Sequence, residues 1–436
     1  LNRRAFLKSG ALTWAAVRAA ADTQVPNLSE KSVRFGVVGL GNRGRHLLRL
    51  LMGFPGVQVP AICDLSEKAL EAAAEVVIRA GGSPPARYSK APNDYTAMLR
   101  RTDIDAVLIA TPTKWHCPQA IAAMNAGKHV GSEVPAGFTL EELWELVRTK
   151  ERTGRRYILL ENYLYMRHNM MVLDMVRQGL FGELYYAECS YIHDCRFMLF
   201  KPDGSLDWWG EFARDSYGSD YPTHALGPVS KWFGLNEGDR MEYCTAMMST
   251  PRVLKEYAAR KFGPDSPQAK IDFAVGDYTS VLIRTASGKL IRVDYDVNSP
   301  RPESHFYLAQ GTRGVYDSRK GIHFEGEGEK WTPAETYLTR YDHEYWRTAG
   351  AAAEASGHGG GDYFVIRDFV EMVREDREPW IDVYDAASWS SIYHCSRQSI
   401  DGRGASVDIP DFTQGKWKDA SWRAGQLGPL RASRRA

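Results

Sequence analysis

The chain has 436 residues, 44% of them hydrophobic and 25% charged, which is ordinary for soluble globular proteins and enough for two domains. The formal net charge is +1 and no basic block lies outside the termini, so a nucleic-acid partner has no electrostatic footprint. No apolar run reaches membrane-spanning length, and the six cysteines (63, 117, 189, 195, 244 and 395) form no CxxC pair, so neither a zinc knuckle nor a disulfide scaffold is expected.

The chain opens on Arg3-Arg4-Ala5-Phe6-Leu7-Lys8, a mildly apolar stretch and Ala19-Ala20-Ala21. Together residues 1–22 read as a twin-arginine export signal, with a basic helix on a cytosolic protein as the alternative. Export places the mature protein in the periplasm or outside the cell, off the membrane once the signal is removed. In that oxidising setting Cys189 and Cys195 are close enough in sequence to pair; otherwise they are buried free thiols.

Val33–Val38 reads as a buried strand that runs into Gly39-Leu40-Gly41-Asn42-Arg43-Gly44, with a helix to follow from Arg45 to Met52. A second strand, Val57–Cys63, ends on Asp64, 20 residues after Gly44. Next come a helix over Glu67–Arg79, a break at 81–85, a strand over Ala106–Ala110 and a helix over Gln119–Ala126. Strand His129–Ser132, helix Leu140–Arg152 and strand Tyr157–Leu160 complete the alternation. This pattern predicts an α/β fold with a Rossmann-type, doubly wound parallel sheet over 33–160.

Beyond it the period changes. Helix Asn169–Gln178 is followed by strands alternating at period two, Leu184–Tyr191, Tyr278–Arg284, Leu290–Tyr295 and Phe306–Gln310. Residues 355–361 are Gly-rich and read as a mobile loop, and helices over Tyr363–Arg374 and Ala386–Ser399 close the segment. An α+β domain with a mostly antiparallel open sheet is predicted over 161–412, with 413–436 as a C-terminal tail.

A GxGxxG motif alone says little, but between a strand and a helix, with an acid ending the next strand, it predicts a dinucleotide site. Gly39 permits the tight turn, Gly41 lets the backbone approach a pyrophosphate, and Gly44 lets the helix pack on the strand. Asp64 accepts hydrogen bonds from ribose hydroxyls and repels a 2′-phosphate, which favours NAD over NADP. Trp208-Trp209 reads either as a sugar-stacking platform or as core, and His193-Asp194 either as a structural feature or as a pair or metal half-site. No metal is expected, because no further ligands cluster near them. Glu303 reads either as a substrate acceptor held by a rigid loop or as a solvated charge.

With Ala110-Thr111-Pro112, Trp115-His116-Cys117-Pro118 and Ser132-Glu133-Val134-Pro135 added, the chain resembles the Gfo/Idh/MocA oxidoreductases from residue 33 to about 400. Most members carry Glu-Lys-Pro, whose lysine helps move the proton; here that position is Val134. Glu-Val-Pro resembles glycoside hydrolase family 109, the NAD-dependent N-acetylgalactosaminidases. So do Leu160-Glu161-Asn162-Tyr163, Tyr191-Ile192-His193-Asp194 and Tyr221-Pro222-Thr223-His224 with Gly227-Pro228.

The resemblance implies that Asn42, Arg43, Asp64, Thr111, Trp115, His116, Pro118, Glu133, Val134 and Asn162 line NAD. It implies that Tyr221, Pro222, Thr223 and His224 meet the sugar, with His224 the acid/base, Tyr221 a polariser of the reacting oxygen and Tyr157 a lesser catalytic contributor. The family's substrate arginine falls here at Trp209 and its substrate tyrosine at Glu303, so the sugar itself is in question; Arg196 or Arg214 is then expected to supply the missing cation. The implied activity is hydrolysis of a terminal hexosaminide, with an α-N-acetylgalactosaminide first, by transient oxidation at C3, elimination, water addition and re-reduction. A sugar 3-dehydrogenase and a non-catalytic sugar or NAD sensor are the rivals. The expected partners are a small glycoside or glycan end and, by analogy of fold, a second copy of the chain.

Overall fold

The computed structural model describes residues 31–419, 421–426 and 428, so the expected export signal lies outside the described residues. Strands β1 (Val33–Val38), β2 (Val57–Cys63), β3 (Ala86–Tyr88), β4 (Ala106–Ile109), β5 (His129–Ser132) and β6 (Tyr157–Leu159) form a parallel sheet in the order β3-β2-β1-β4-β5-β6. The order reverses between β1 and β4, which opens a ligand crevice at their carboxyl ends. Helices α1 (Asn42–Leu51), α2 (Glu67–Arg79), α3 (Tyr95–Leu99), α4 (His116–Asn125) and α5 (Leu140–Thr153) wind around this sheet. Their ends follow local chemistry: the Ser66 hydroxyl accepts from the Ala69 N–H, and Thr139 with Glu142 forms a capping box. β3 and α3, three and five residues long, carried too little periodic signal to be predicted.

The second region holds α6 (Arg167–Arg177), β7 (Leu184–Ile192), α7 (Trp208–Asp215), α8 (Thr223–Phe233), β8 (Met241–Met248) and α9 (Val253–Phe262). It continues with β9 (Thr279–Thr285), β10 (Leu290–Asp296), β11 (Tyr307–Gly311), β12 (Gly314–Asp317) and β13 (Gly321–Phe324). Helices α10 (Glu335–Tyr341), α11 (Glu344–Glu354), α12 (Gly361–Glu375) and α13 (Val383–Asp401) and the short strand β14 (Val407–Asp408) complete it. Its sheet runs β13-β12-β11-β7-β10-β9-β8-β14 and is antiparallel except where β7 meets β10. In β9, buried Val281 and Ile283 alternate with exposed Leu282 and Arg284, so one face of the sheet is packed and the other open.

The last helices return to the first sheet. Phe369 of α12 meets Phe35 of β1 at 5.1 Å and lies over Gly131, where a Cβ would sit 2.7 Å from its ring. Ile381 accepts from the Leu159 N–H at 3.2 Å, and the Ser390 hydroxyl of α13 accepts from the Ala136 N–H at 3.0 Å. The two regions therefore share packing well past residue 160.

Two expectations are corrected. Residues 355–361 do not hang free: a short turn at His358–Gly360 leads directly into α12. The glycines serve close approach, because a Cβ on Gly360 would strike Trp346 and one on Gly361 the Asn162 carbonyl. The segment from 413 is likewise docked in its described part: Arg423 is buried against Asp382 at 2.7 Å and Asp385 at 3.0 Å, and Trp422 donates to the Asn236 carbonyl.

Candidate active site

The glycine turn has the shape a dinucleotide needs. Gly39 sits at φ 86°, and a Cβ there would lie 2.6 Å from the Ala110 backbone. A Cβ on Gly44 would strike the Gly39 carbonyl, whereas one on Gly41 meets nothing within 4 Å. Gly41 thus borders open space at the amino end of α1, where unpaired N–H groups favour a pyrophosphate. Asp64 accepts from the Leu40 N–H at 2.6 Å and the Ser66 N–H at 2.8 Å, which fixes its carboxylate at the tip of β2. We expect Asp64→Asn, which keeps one of the two side-chain acceptors, to narrow the preference for NAD over NADP by about tenfold in a fluorescence titration, because the repelling charge is gone.

Arg43, Glu133, Asn162 and Asp362 form one buried cluster. Arg43 donates to Glu133 at 2.6 Å and, through two nitrogens, to Asp362 at 2.8 Å each. Burial opposes the Arg43 charge, yet Glu133 and Asp362 outweigh it and raise the guanidinium above its ordinary value. Asp362 also meets His46 at 2.9 Å, His358 at 2.7 Å and the Asn162 amide at 2.7 Å. Despite burial, Arg43 above all, with His358 and His46, holds its carboxyl well below the usual range. The Asn162 Oδ1 is buried with no partner among the described residues, an acceptor left over for a bound ligand. Open space at Gly41, the acid at Asp64 and this orphaned acceptor fit NAD.

Around the crevice, Thr111 donates to Gln119, Pro118 lies in the first turn of α4 and Trp115 is half-buried just before it. His116 spans the Thr111 and Pro135 carbonyls at 2.8 Å each, and burial lowers its pKa. Its ring lies between the two loops that carry these carbonyls. Val134 is 2% exposed and brings no proton-carrying group.

His224, in the first turn of α8, is held from behind by Glu161, whose two oxygens lie 2.7 and 2.9 Å from Nδ1. Glu161 is fully buried and also accepts from the Tyr163 N–H at 3.0 Å. Nε2 of His224 has no partner among the described residues. Tyr163 stacks on the imidazole at 4.2 Å, with Tyr191 at 5.0 Å and Tyr221 edge-on at 5.1 Å. Burial and the nearby Glu133 raise the Tyr221 phenol well above its ordinary value, so it stays a neutral O–H donor. Tyr221 lies edge-on to His224 and feels the charges of Glu133, Arg43 and Glu161.

The other expected substrate residues divide. Trp209 stacks on Tyr221 at 5.8 Å and joins the site wall. Glu303 sits at the rim, 71% exposed and 3.5 Å from His305, whose pKa burial and two neighbouring histidines lower to about 3. Pro222 precedes α8, and the Thr223 hydroxyl is buried without a partner.

Tyr157, Arg196 and Arg214 do not reach the site as expected. Tyr157 is fully enclosed on β6, its phenol near Cys117 and Ser132, because the pleat turns it into the Rossmann core. Arg196 is held by Asp194 at 2.7 and 2.8 Å, and Arg214 by Asp215 at the exposed end of α7, so neither supplies the missing cation. His193 meets Tyr191 and Cys195 rather than Asp194, in line with the structural reading, and Cys189 and Cys195 are buried free thiols, as the second reading had it.

Sequence reasoning missed Glu161 as the histidine's partner, and it missed His46, His358 and Asp362. The signal available was Glu161-Asn162-Tyr163 at the carboxyl end of β6, the edge where such sheets bind ligands. The spacing of His358 and Asp362, one helical turn apart, was a second.

Comparison with known proteins agrees with this geometry. Residues 33–161 match the oxidoreductase family with an NAD-binding Rossmann fold, and residues 165–419 match the glycosyl hydrolase 109 C-terminal domain. A glycosyl hydrolase family 109 protein from Saccharopolyspora erythraea is 39% identical over 394 residues, covering 89% of this chain and 85% of the relative. An alpha-N-acetylgalactosaminidase from Shewanella oneidensis is 37% identical over 448 residues, covering 96% and 98%. The solved structure of a levoglucosan dehydrogenase with NADH and levoglucosan shares the fold at TM-score 0.68 and 20% identity, covering 87% of this chain and all of that one. With a Rossmann domain shaped for NAD and a histidine-centred cleft beside it, the chain belongs to glycosyl hydrolase family 109, a family of NAD-dependent glycosidases.

Proposed function

We propose that this protein removes a terminal hexosamine, N-acetylgalactosamine in α linkage, from a glycan by transient oxidation of the sugar rather than by two-carboxylate hydrolysis. The observation that carries this reading is His224: Glu161 holds Nδ1, and Nε2 is left without a protein partner beside Tyr221 and the cofactor cluster. Hydrolysis of the usual kind needs two carboxyl groups across the bond. Here Glu133 is taken by Arg43, Glu161 by His224, and Glu303 stands in solvent.

Gly41, Asp64, Arg43, Glu133 and Asn162 would hold NAD, which when bound accepts a hydride from sugar C3 and later returns it. Tyr221 donates a hydrogen bond to the C3 oxygen and polarises it, and the C3 hydroxyl proton leaves through Nε2 of His224 to solvent, which returns the imidazole to its free-base form. Once C3 is a ketone, the C2–H bond is acidic, and Nε2 of His224 takes that proton while Glu161 stabilises the imidazolium. The electron pair left at C2 forms the C1–C2 double bond as the C1–O bond breaks and the aglycone leaves with the pair. Water then adds at C1, and C2 takes back a solvent-exchanged proton from His224. The hydride and a solvent proton return to C3 and its oxygen while the aglycone is protonated by water, so there is no net redox change. Val134 supplies no alternative base, which makes His224 the one proton carrier the reading requires.

Trp209 and Glu303 set the sugar choice in this reading. An aromatic wall cannot make the paired hydrogen bonds of an arginine, and an exposed carboxylate accepts from hydroxyls. A panel of nitrophenyl α- and β-glycosides of N-acetylgalactosamine, galactose and glucose tests it. Release from the α-N-acetylgalactosaminide, lost when NAD is stripped and restored by adding it back, is expected. Stoichiometric NADH on sugar addition would make the protein a dehydrogenase, and binding without any turnover would make it a sensor. We further propose export through the twin-arginine route, on the strength of Arg3-Arg4 and the stretch behind it. Cell fractionation tests this, and residence in the cytoplasm would overturn it.

A further inference from the structure

A column of stacked rings leads away from the catalytic histidine. Tyr221, edge-on to His224, stacks on Trp209 at 5.8 Å, and Trp209 stacks on Trp208 at 5.6 Å. Trp209 is thus engaged on both sides, while Trp208 is 37% exposed. The outer ring of the column borders a recess of about 190 Å³ lined by Lys114, Phe138, Trp208, Glu211, Phe212 and Asp215.

The recess is built. The Asp207 carboxylate caps α7 at the Trp208 N–H, and a Cβ on Gly210 would strike the Leu199 carbonyl, so α7 packs closely on the backbone there. Phe138 and Phe212 stack on each other at 4.5 Å and form its apolar floor. At the rim, the Lys114 and Glu211 side chains make no hydrogen bond or ion pair with any described residue. Lys114 is also the neighbour of Trp115 at the cofactor crevice. Through Lys114 the recess adjoins the loop that carries Trp115, and through the ring column of Trp208 and Trp209 it is linked to Tyr221.

We propose that this recess is the leaving-group subsite and that its occupant is the second sugar ring of the glycan, the one joined through the bond that breaks. A pyranose has a C–H-rich face, which suits an indole and two phenyl rings, and an edge of hydroxyls, which suits an unpaired ammonium and an unpaired carboxylate. The volume has room for about one ring, in keeping with a subsite rather than a whole ligand pocket. This inference rests on the glycosidase reading above.

Trp208→Ala tests it, with unchanged NAD affinity showing that the variant is folded. Its kcat/KM is expected to fall about tenfold on α-N-acetylgalactosaminyl-(1→3)-galactose and to hold on methyl α-N-acetylgalactosaminide, where no second ring exists to stack. Equal losses on both substrates, or no loss on the disaccharide, would overturn the subsite. If the unaltered protein cleaves neither compound, the glycosidase reading falls and free galactose decides the subsite. Saturation transfer to the galactose ring protons that disappears in Trp208→Ala supports it, and transfer that persists, or is absent from both proteins, overturns it.

Discussion

Replacing His224 with asparagine is expected to lower kcat roughly 10³-fold, a loss of about 4 kcal/mol in transition-state stabilisation, with NAD affinity unchanged. Asparagine is the informative choice because its amide still reaches Glu161, so the buried carboxylate keeps a hydrogen bond. Leucine would strand that carboxylate and cost about 3 kcal/mol or more in folding stability, confounding the kinetics. Steady-state rates on the nitrophenyl glycoside, with a thermal melt of each variant, check both statements. A rate within threefold of the parent would remove His224 from the mechanism.

Glu161→Gln should lower kcat by roughly 10²-fold or more while moving KM little, although Glu161 touches no substrate. The carboxylate fixes the imidazole so that Nδ1 carries a proton and Nε2 is the free base, and its charge stabilises the imidazolium formed when the C2 proton is taken. Glutamine fits the same fully buried space and still accepts from the Tyr163 N–H, so packing is preserved. A readout independent of rate is the far-downfield proton resonance of an Nδ1–H bonded to a carboxylate. It should be present in the parent and absent from the variant. Full activity in Glu161→Gln would reduce the pair to a structural tie.

The Rossmann half was legible because its signals are local. Gly39, Gly41, Gly44 and Asp64 fall within one strand–turn–helix–strand unit, and the bounds of β2, α2 and β5 could be read directly from runs of apolar residues and their breakers. His224 stood out through its motif, but its partner did not, because Glu161 lies 63 residues earlier on another element. The clasp of His46, His358 and Asp362 on Arg43 was hidden by the glycines around it, which read as looseness and in fact allow α12 to press against Asn162. Tyr157 was expected on the resemblance alone, and its place on the fully buried β6 keeps it in the Rossmann core. Arg196 and Arg214 were reasonable by sequence distance alone, yet each lies beside an aspartate that takes its charge.

The central claim is that a glycosidic bond is broken through a ketone at C3, and proton NMR of the turnover in deuterated water tests it most directly. The NAD-loaded protein would be given the α-N-acetylgalactosaminide and the released sugar collected. Free sugar carrying deuterium at C2, with no net accumulation of NADH, is the result predicted here. Free sugar with its C2 proton retained, or a keto-sugar formed with stoichiometric NADH, would contradict it.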